Sequence, residues 1–245
     1  MNAVLLMLAS NALGQSNDDL LPPPGGYDQP MVHMGQSVYG QLMADRLEYQ
    51  RGQSDPLIVV DLEGWLGTDR RRFRYRVEGE HGLPGSEGGG EVSLLYGHLF
   101  APFWEVQAGA RFSGERSNDA NDGSVAAFVG LEGAIPYDFD FETGLYVDYQ
   151  SRVSWSATVV KEFMFAQRVV LQLRAETGIG SAERGQTGSV WQFDGLGTGI
   201  RLRFEMHRQF APYIGYTHAL GADLASQSVQ VSSTSRAVGG IRIWF

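Results

Sequence analysis

Polar and apolar residues alternate one for one along segment after segment of this chain, and the polar partners are arginines and carboxylates. From Arg72 to Glu80 (RFRYRVEGE), Phe73, Tyr75 and Val77 point one way, while Arg72, Arg74, Arg76, Glu78 and Glu80 point the other. From Asp138 to Tyr149, Phe139, Phe141, Thr143, Leu145 and Val147 oppose Asp138, Asp140, Glu142, Tyr146 and Asp148. Val169, Leu171 and Leu173 oppose Gln172, Arg174 and Glu176. Ile200, Leu202, Phe204 and Met206 oppose Arg201, Arg203 and Glu205, and Val106, Ala108 and Phe112 oppose Glu105, Gln107 and Arg111. Side chains alternate across a strand, whereas a helix repeats every 3.6 residues. The chain therefore reads as all-β from about Ser37 onward.

Two architectures alternate in this way. An antiparallel sandwich has one wet face, normally a mixture of Thr, Ser, Lys and Asn. Here basic charge is almost all arginine, with Lys161 the only lysine. Forked guanidinium groups facing carboxylates suit a confined interior. A transmembrane antiparallel β-barrel needs this pattern, apolar toward lipid and polar toward the lumen, with no free edge in hydrocarbon.

Connection lengths point the same way. Tight turns are expected at Leu66–Asp69, Phe100–Phe103, Ile135–Asp138, Phe165–Arg168 and His207–Phe210. Longer polar loops are expected at His81–Gly90, Ser113–Gly123, Gly180–Ser189 and Gly221–Ser233. Outer-membrane barrels have short periplasmic turns and longer extracellular loops. Aromatics such as Phe100, Phe103, Trp104, Tyr137, Phe163, Phe165, Phe210 and Tyr213 lie beside the short turns, where an interfacial girdle belongs. Lys161 falls on the apolar face nearby, positioned to snorkel to the headgroups. The segments, each about ten residues long, number about twelve, with both ends periplasmic. In the first, Asp45, Arg46 and Glu48 break phase, which a bulge would explain.

The chain finishes AVGGIRIWF, with Ile241, Ile243 and Phe245 in alternation. A last strand that must pair with the first would close the barrel. It also resembles the C-terminal aromatic signal read by the barrel assembly machinery.

Before the barrel, residues 1–14 look like a signal peptide: an apolar run from Ala3 to Ala9, then the small-x-small pattern Ala12-Leu13-Gly14, without a basic n-region. Residues 15–36 hold Pro22, Pro23, Pro24, Gly25, Gly26 and Pro30 and read as a periplasmic linker. Residues 37–245 are the expected barrel. A net charge of −9 over 245 residues gives nucleic acid no electrostatic foothold. The absence of cysteine excludes disulfides, thiolate metal sites and a Cys nucleophile.

Catalytic groups are not apparent. No G-x-S-x-G occurs, and none of His33, His81, His98, His207 and His218 is beside a serine in a nucleophile arrangement. His98 and His218 fall on the lipid side near the rims. Asp138, Asp140 and Glu142 read as lumenal ion-pair partners rather than an acid–base pair. No catalytic residue and no cofactor-binding loop is assigned. One constellation stands apart: Met31, His33 and Met34 in DQPMVHMGQ, with Met43 further on. Thioether and imidazole together suit copper, sulfur favouring Cu(I) and imidazole also suiting Cu(II).

The stretches LLYGHLFAPFWEVQAG (94–109), VGLEGAIPYDFDFETGLYV (129–147), AQRVVLQLRAE (166–176), GLGTGIRLRFEMHRQFAPYIGY (195–216) and VGGIRIWF (238–245) make the chain similar to the copper resistance protein B family, outer-membrane proteins of copper-resistance operons. The resemblance runs from about Met43 to the end. It implies a non-enzymatic barrel that binds copper or passes it across the outer membrane of a Gram-negative cell. The expected partners are copper ions, outer-membrane lipid, the barrel assembly machinery and a periplasmic copper-handling protein. Family members often carry a long Met/His-rich N-terminal extension, represented here only by Met31, His33 and Met34. His33 and Met34, with Met31 and Met43 as weaker candidates, are the ligands the resemblance implies, catching copper at the periplasmic mouth. The alternatives are a generic small porin or structural barrel without a metal role, a lipid hydrolase, and a soluble lectin-like sandwich.

Overall fold

The computed structural model describes residues 38–52, 55–83, 85, 88–117, 120–183, 189–207, 209–223 and 230–245. The signal-like segment 1–14 and the linker 15–36 lie outside the described residues. Twelve strands follow in chain order: β1 (Tyr39–Gly52), β2 (Leu57–Gly67), β3 (Arg71–Gly82), β4 (Gly88–Ala101), β5 (Trp104–Ser117), β6 (Ala120–Ile135), β7 (Phe139–Asp148), β8 (Val153–Ala166), β9 (Val169–Glu183), β10 (Ser189–Phe204), β11 (Phe210–Asp223) and β12 (Gln230–Trp244). Each pairs antiparallel with its sequence neighbours, and β12 returns to pair with β1, so the sheet closes. Closure satisfies the backbone groups of the first and last strands, which an open sheet would expose to hydrocarbon.

The alternation sorts as the sequence leads one to expect. Ile200, Leu202 and Phe204 of β10 are about half exposed on the outside, while the intervening Arg201 and Arg203 are buried within. In β5, Val106 and Phe112 face out, and Glu105 and Gln107 are buried inside. The interior of this protein is thus its charged face, and its apolar surface belongs to lipid.

Most strands are longer than the roughly nine to eleven residues that a membrane span needs. Those expected to be about ten residues long reach 16 in β6 and β10. Much of the expected outer loop length is ladder: Ser117 pairs with Ala120, Glu183 with Ser189 and Asp223 with Gln230. A ladder needs only backbone donors and acceptors. The Gly, Ser and Asp residues of these stretches therefore continue it beyond the apolar band.

At the opposite end the turns are tight. The Thr68 N–H donates to Arg71 O at 2.8 Å across the β2–β3 turn. Phe103, Tyr137 and Asp138 adopt φ values of 68°, 72° and 54° in the β4–β5 and β6–β7 turns. Lys161, expected to reach for headgroups, instead turns its amine onto the β6–β7 turn. It donates to the carbonyls of Tyr137 and of Asp138, the latter at 3.2 Å, and lies 5.2 Å and 5.5 Å from the ring centroids of Phe139 and Phe163. Its Cα partner across the ladder is Phe139, which brings the amine within reach of that turn.

The β12–β1 seam closes at this short-turn end. Leu42 and Phe245 exchange backbone hydrogen bonds of 3.3 Å and 2.9 Å. The suspected irregularity in β1 is a bulge. Ala44 pairs with Leu62 and Ile243, but the next register positions are Arg46 opposite Asp61 and Leu47 opposite Ile241. The extra residue resets the phase, so Met43 and Asp45 before it and Arg46, Glu48 and Gln50 after it all point into the lumen.

Candidate functional site

The lumen is the part of the molecule where charged chemistry is concentrated. In its short-turn half, ion pairs reach between strands that are not neighbours. Arg74 of β3 forks onto Glu132 of β6, its Nη2 donating to Oε1 at 3.0 Å. Arg76, also of β3, pairs with Glu142 of β7. Two to three strands lie between these partners around the barrel, so their side chains lie across the bore rather than along the wall. Gln107 joins the set by donating to Glu132 at 2.7 Å and Glu105 at 3.2 Å.

On the facing side, Arg203 of β10 binds Glu162 of β8 through both Nη atoms, at 2.9 Å and 3.0 Å. Arg242 of β12 also reaches Glu162, at 3.5 Å, and pairs with Asp45 at 3.0 Å. Gln172 donates to the same Glu162 at 3.2 Å. Deeper still, Glu48 is almost fully buried. It accepts from Arg201 Nε at 2.6 Å, Gln50 Nε2 at 2.8 Å and the Tyr213 hydroxyl at 3.0 Å. Such geometry is what a buried carboxylate requires, because its desolvation is offset only when its lone pairs are filled. Gly240 makes room for the Tyr213 ring: a Cβ there would sit 2.7 Å from it.

Toward the other end the lumen widens into a cavity of about 940 Å³. Its lining includes Arg46, Arg111, Arg174, Glu78, Glu91 and Glu176, with Tyr146, Ser156, Thr158 and Thr217 between them. Arg111 pairs with Glu91 and stands 4.4 Å from the Tyr146 ring centroid. A much smaller cavity, about 80 Å³, lies in the short-turn half between Gln41, Met43, Glu63, Trp65, Arg74 and Leu95. The cross-bore pairs therefore form a septum beneath an outer vestibule.

Of the residues singled out as copper ligands, Met31, His33 and Met34 lie outside the described residues. Met43 lies in the lumen beside the septum, its Sδ accepting from Arg242 Nε at 3.3 Å and Nη2 at 3.1 Å. Nothing in the sequence marks Arg242 and Glu162 as neighbours of Met43, since 199 and 119 positions separate them. Among the described residues, no three His, Cys, Asp or Glu side chains are grouped to hold a metal ion. His218 sits on the outer face, its Nδ1 2.8 Å from Ser235 Oγ. Of Asp138, Asp140 and Glu142, Glu142 is drawn into a lumenal ion pair, while Asp138 is exposed in the β6–β7 turn.

A closed antiparallel barrel with an apolar exterior, a charged bore and short turns at one end defines an outer-membrane β-barrel protein. Solved structures share this fold. KdgM porin superposes with a TM-score of 0.51 at 10% identity, covering 84% of this chain and 99% of its own. NanC porin superposes with a TM-score of 0.51 at 12% identity and the same coverage of each chain. The family described as "Copper resistance protein B precursor (CopB)" matches residues 38–245. A copper resistance protein B homolog of Pseudomonas syringae pv. tomato is 31% identical over 97% of this chain and 83% of its own length. Copper resistance protein B of Escherichia coli is 28% identical over 83% of this chain and 69% of its own. The chain belongs to the copper resistance protein B family. It is a copper-resistance protein of the outer membrane.

Proposed function

We propose that the protein binds copper and governs its passage across the outer membrane, with Met31, His33 and Met34 as the capturing ligands and Met43 as a separate ligand within the barrel. The observation that carries this reading is the family match, which spans the whole described barrel. The donor chemistry supports it, because two thioethers and an imidazole within four residues suit Cu(I) and tolerate Cu(II). The septum supports a controlled route over a free diffusion pore: the Arg74–Glu132 and Arg76–Glu142 pairs cross the bore where a general porin would be open. A barrel assembled by the outer-membrane machinery and served by a periplasmic copper-handling protein fits the same reading.

The test is copper content of the refolded full chain in detergent after titration with Cu(I) and with Cu(II), beside a Met31→Ala/His33→Ala/Met34→Ala variant. Tight binding that the variant loses supports the reading. No binding by the wild-type chain refutes it and leaves a pore or scaffold without a metal role.

A further inference from the structure

We infer that Arg76 is the moving part of a gate: it has two carboxylate acceptors, Glu142 across the bore and Glu63 beside it in the wall, and the route opens when it passes from the first to the second. The inference goes beyond the copper reading, because it concerns the route and not the metal. Arg76 of β3 pairs with Glu142 of β7, and three strands lie between them. Its register partner on β2 is Glu63, directly opposite it in the ladder. Residues so placed have Cβ atoms about 4.5–5.5 Å apart on one face of the sheet, and opposite charges there attract. This pair stays unmade. Among the described residues, no hydrogen bond and no ion pair within 4.0 Å engages the Glu63 carboxylate.

Glu63 is what a static septum does not explain. Two guanidiniums stand beside it, Arg76 directly opposite and Arg74 two residues along β3, and both are committed across the bore. A carboxylate drawn into the wall of a barrel needs its lone pairs filled. A glutamine or an aliphatic side chain would line the wall without that need. The space for an exchange is already present, since the cavity of about 80 Å³ is lined by Glu63, Arg74 and Arg76 together. Arg76 also lines the outer vestibule, so it stands on the boundary between the two cavities.

The exchange keeps charge balanced. One charge-assisted pair breaks and another forms, and neither a proton nor an electron moves. Glu142 is not stranded, because it lines the vestibule and faces solvent there. Arg74 stays forked on Glu132, so the bore widens by one strut and the rest of the septum persists. A single side chain with an acceptor in each of two positions is a two-state element, and its populations follow the difference between the two ion pairs.

The test is the mean conductance of the refolded full chain in planar bilayers, in potassium chloride with a chelator so that copper plays no part. Glu63→Gln keeps the shape of the wall and removes its charge, and it should lower conductance several-fold. Glu142→Gln removes the acceptor across the bore and should raise conductance several-fold, but only while Glu63 is present. In Glu63→Gln/Glu142→Gln that gain should vanish. A purely electrostatic role for Glu142 predicts otherwise, because loss of its charge would then act alike in both backgrounds. An equal gain with and without Glu63 therefore overturns the inference. So does unchanged conductance in Glu63→Gln, and so does silence of the wild type and Glu142→Gln alike. Should Glu142→Gln fail to fold, judged by band mobility on unboiled gels, Glu63→Gln against the wild type still decides. None of these outcomes bears on copper content, so the gate and the copper reading stand or fall separately.

Discussion

The Arg201 guanidinium and the Glu48 carboxylate meet at 2.6 Å, although 153 positions separate them in the chain. Both are almost wholly buried. The pair ties β10 to β1 across two intervening strands, β11 and β12, so it forms only when the barrel has closed. Removing one member of a buried ion pair costs about 3–5 kcal/mol, because the other is left uncompensated. Glu48→Ala is therefore expected to destabilise the barrel by that amount, and Glu48→Gln by less, since the amide oxygen still accepts. Urea unfolding of the refolded protein in detergent reads the difference. Equal stability of Glu48→Ala and wild type would show that water replaces the pair at no cost.

The septum predicts a conductance phenotype independent of any metal. Arg74→Ala with Arg76→Ala removes two cations that cross the bore and leaves Glu132 and Glu142 without their ion-pair partners, while Glu105 keeps Arg72. Single-channel conductance should rise and shift toward cations. A bilayer recording indistinguishable from wild type would place the barrier elsewhere.

Lys161 makes a local prediction. Its amine holds the carbonyls of Tyr137 and Asp138 and lies near two aromatic rings. Lys161→Met keeps the stem and removes the charge. It should cost about 1–2 kcal/mol, the scale of a partly exposed charged hydrogen bond with some cation–π support. The thermal transition of the detergent-solubilised barrel checks this.

Gly64 tests the outer face. A Cβ at this position would lie 2.3 Å from the Tyr75 hydroxyl oxygen and 2.5 Å from Gln41 O. The ring can swing away, but the ladder carbonyl cannot. Gly64→Val should therefore destabilise by about 1–3 kcal/mol, the usual penalty of overpacking. It should lower the temperature at which the folded band disappears from unboiled gels.

These contacts show what the sequence made legible. Alternation placed Arg201, Arg203, Glu105 and Gln107 inside and Ile200, Leu202 and Phe204 outside, because facing depends only on local phase. The broken phase at Asp45 and Arg46 was enough to anticipate a bulge. Pairing was not readable: nothing near Arg201 names Glu48, and nothing near Met43 names Arg242, because both meetings depend on closure of the whole sheet. Strand length was underestimated for a related reason. Hydropathy ends where the hydrocarbon ends, while the backbone ladder continues through Gly, Ser and Asp. Lys161 was placed on the correct face, but its partners sit in a turn whose positive φ values no pattern announced.

The bulge between Ala44 and Leu47 has a consequence for how this barrel tolerates change. It acts as a one-residue frame shift within a single strand, so the two halves of β1 obey opposite parity rules. Losing Asp45 or Arg46 would merely regularise the ladder and leave Glu48 and Gln50 in the bore, but a one-residue register slip of the second half would carry them into lipid and put Leu47 and Tyr49 in their place. The strand would still be amphipathic and could still pair with both neighbours. The fault would be invisible in composition and decisive in the membrane, because the charge that Arg201 needs would face hydrocarbon.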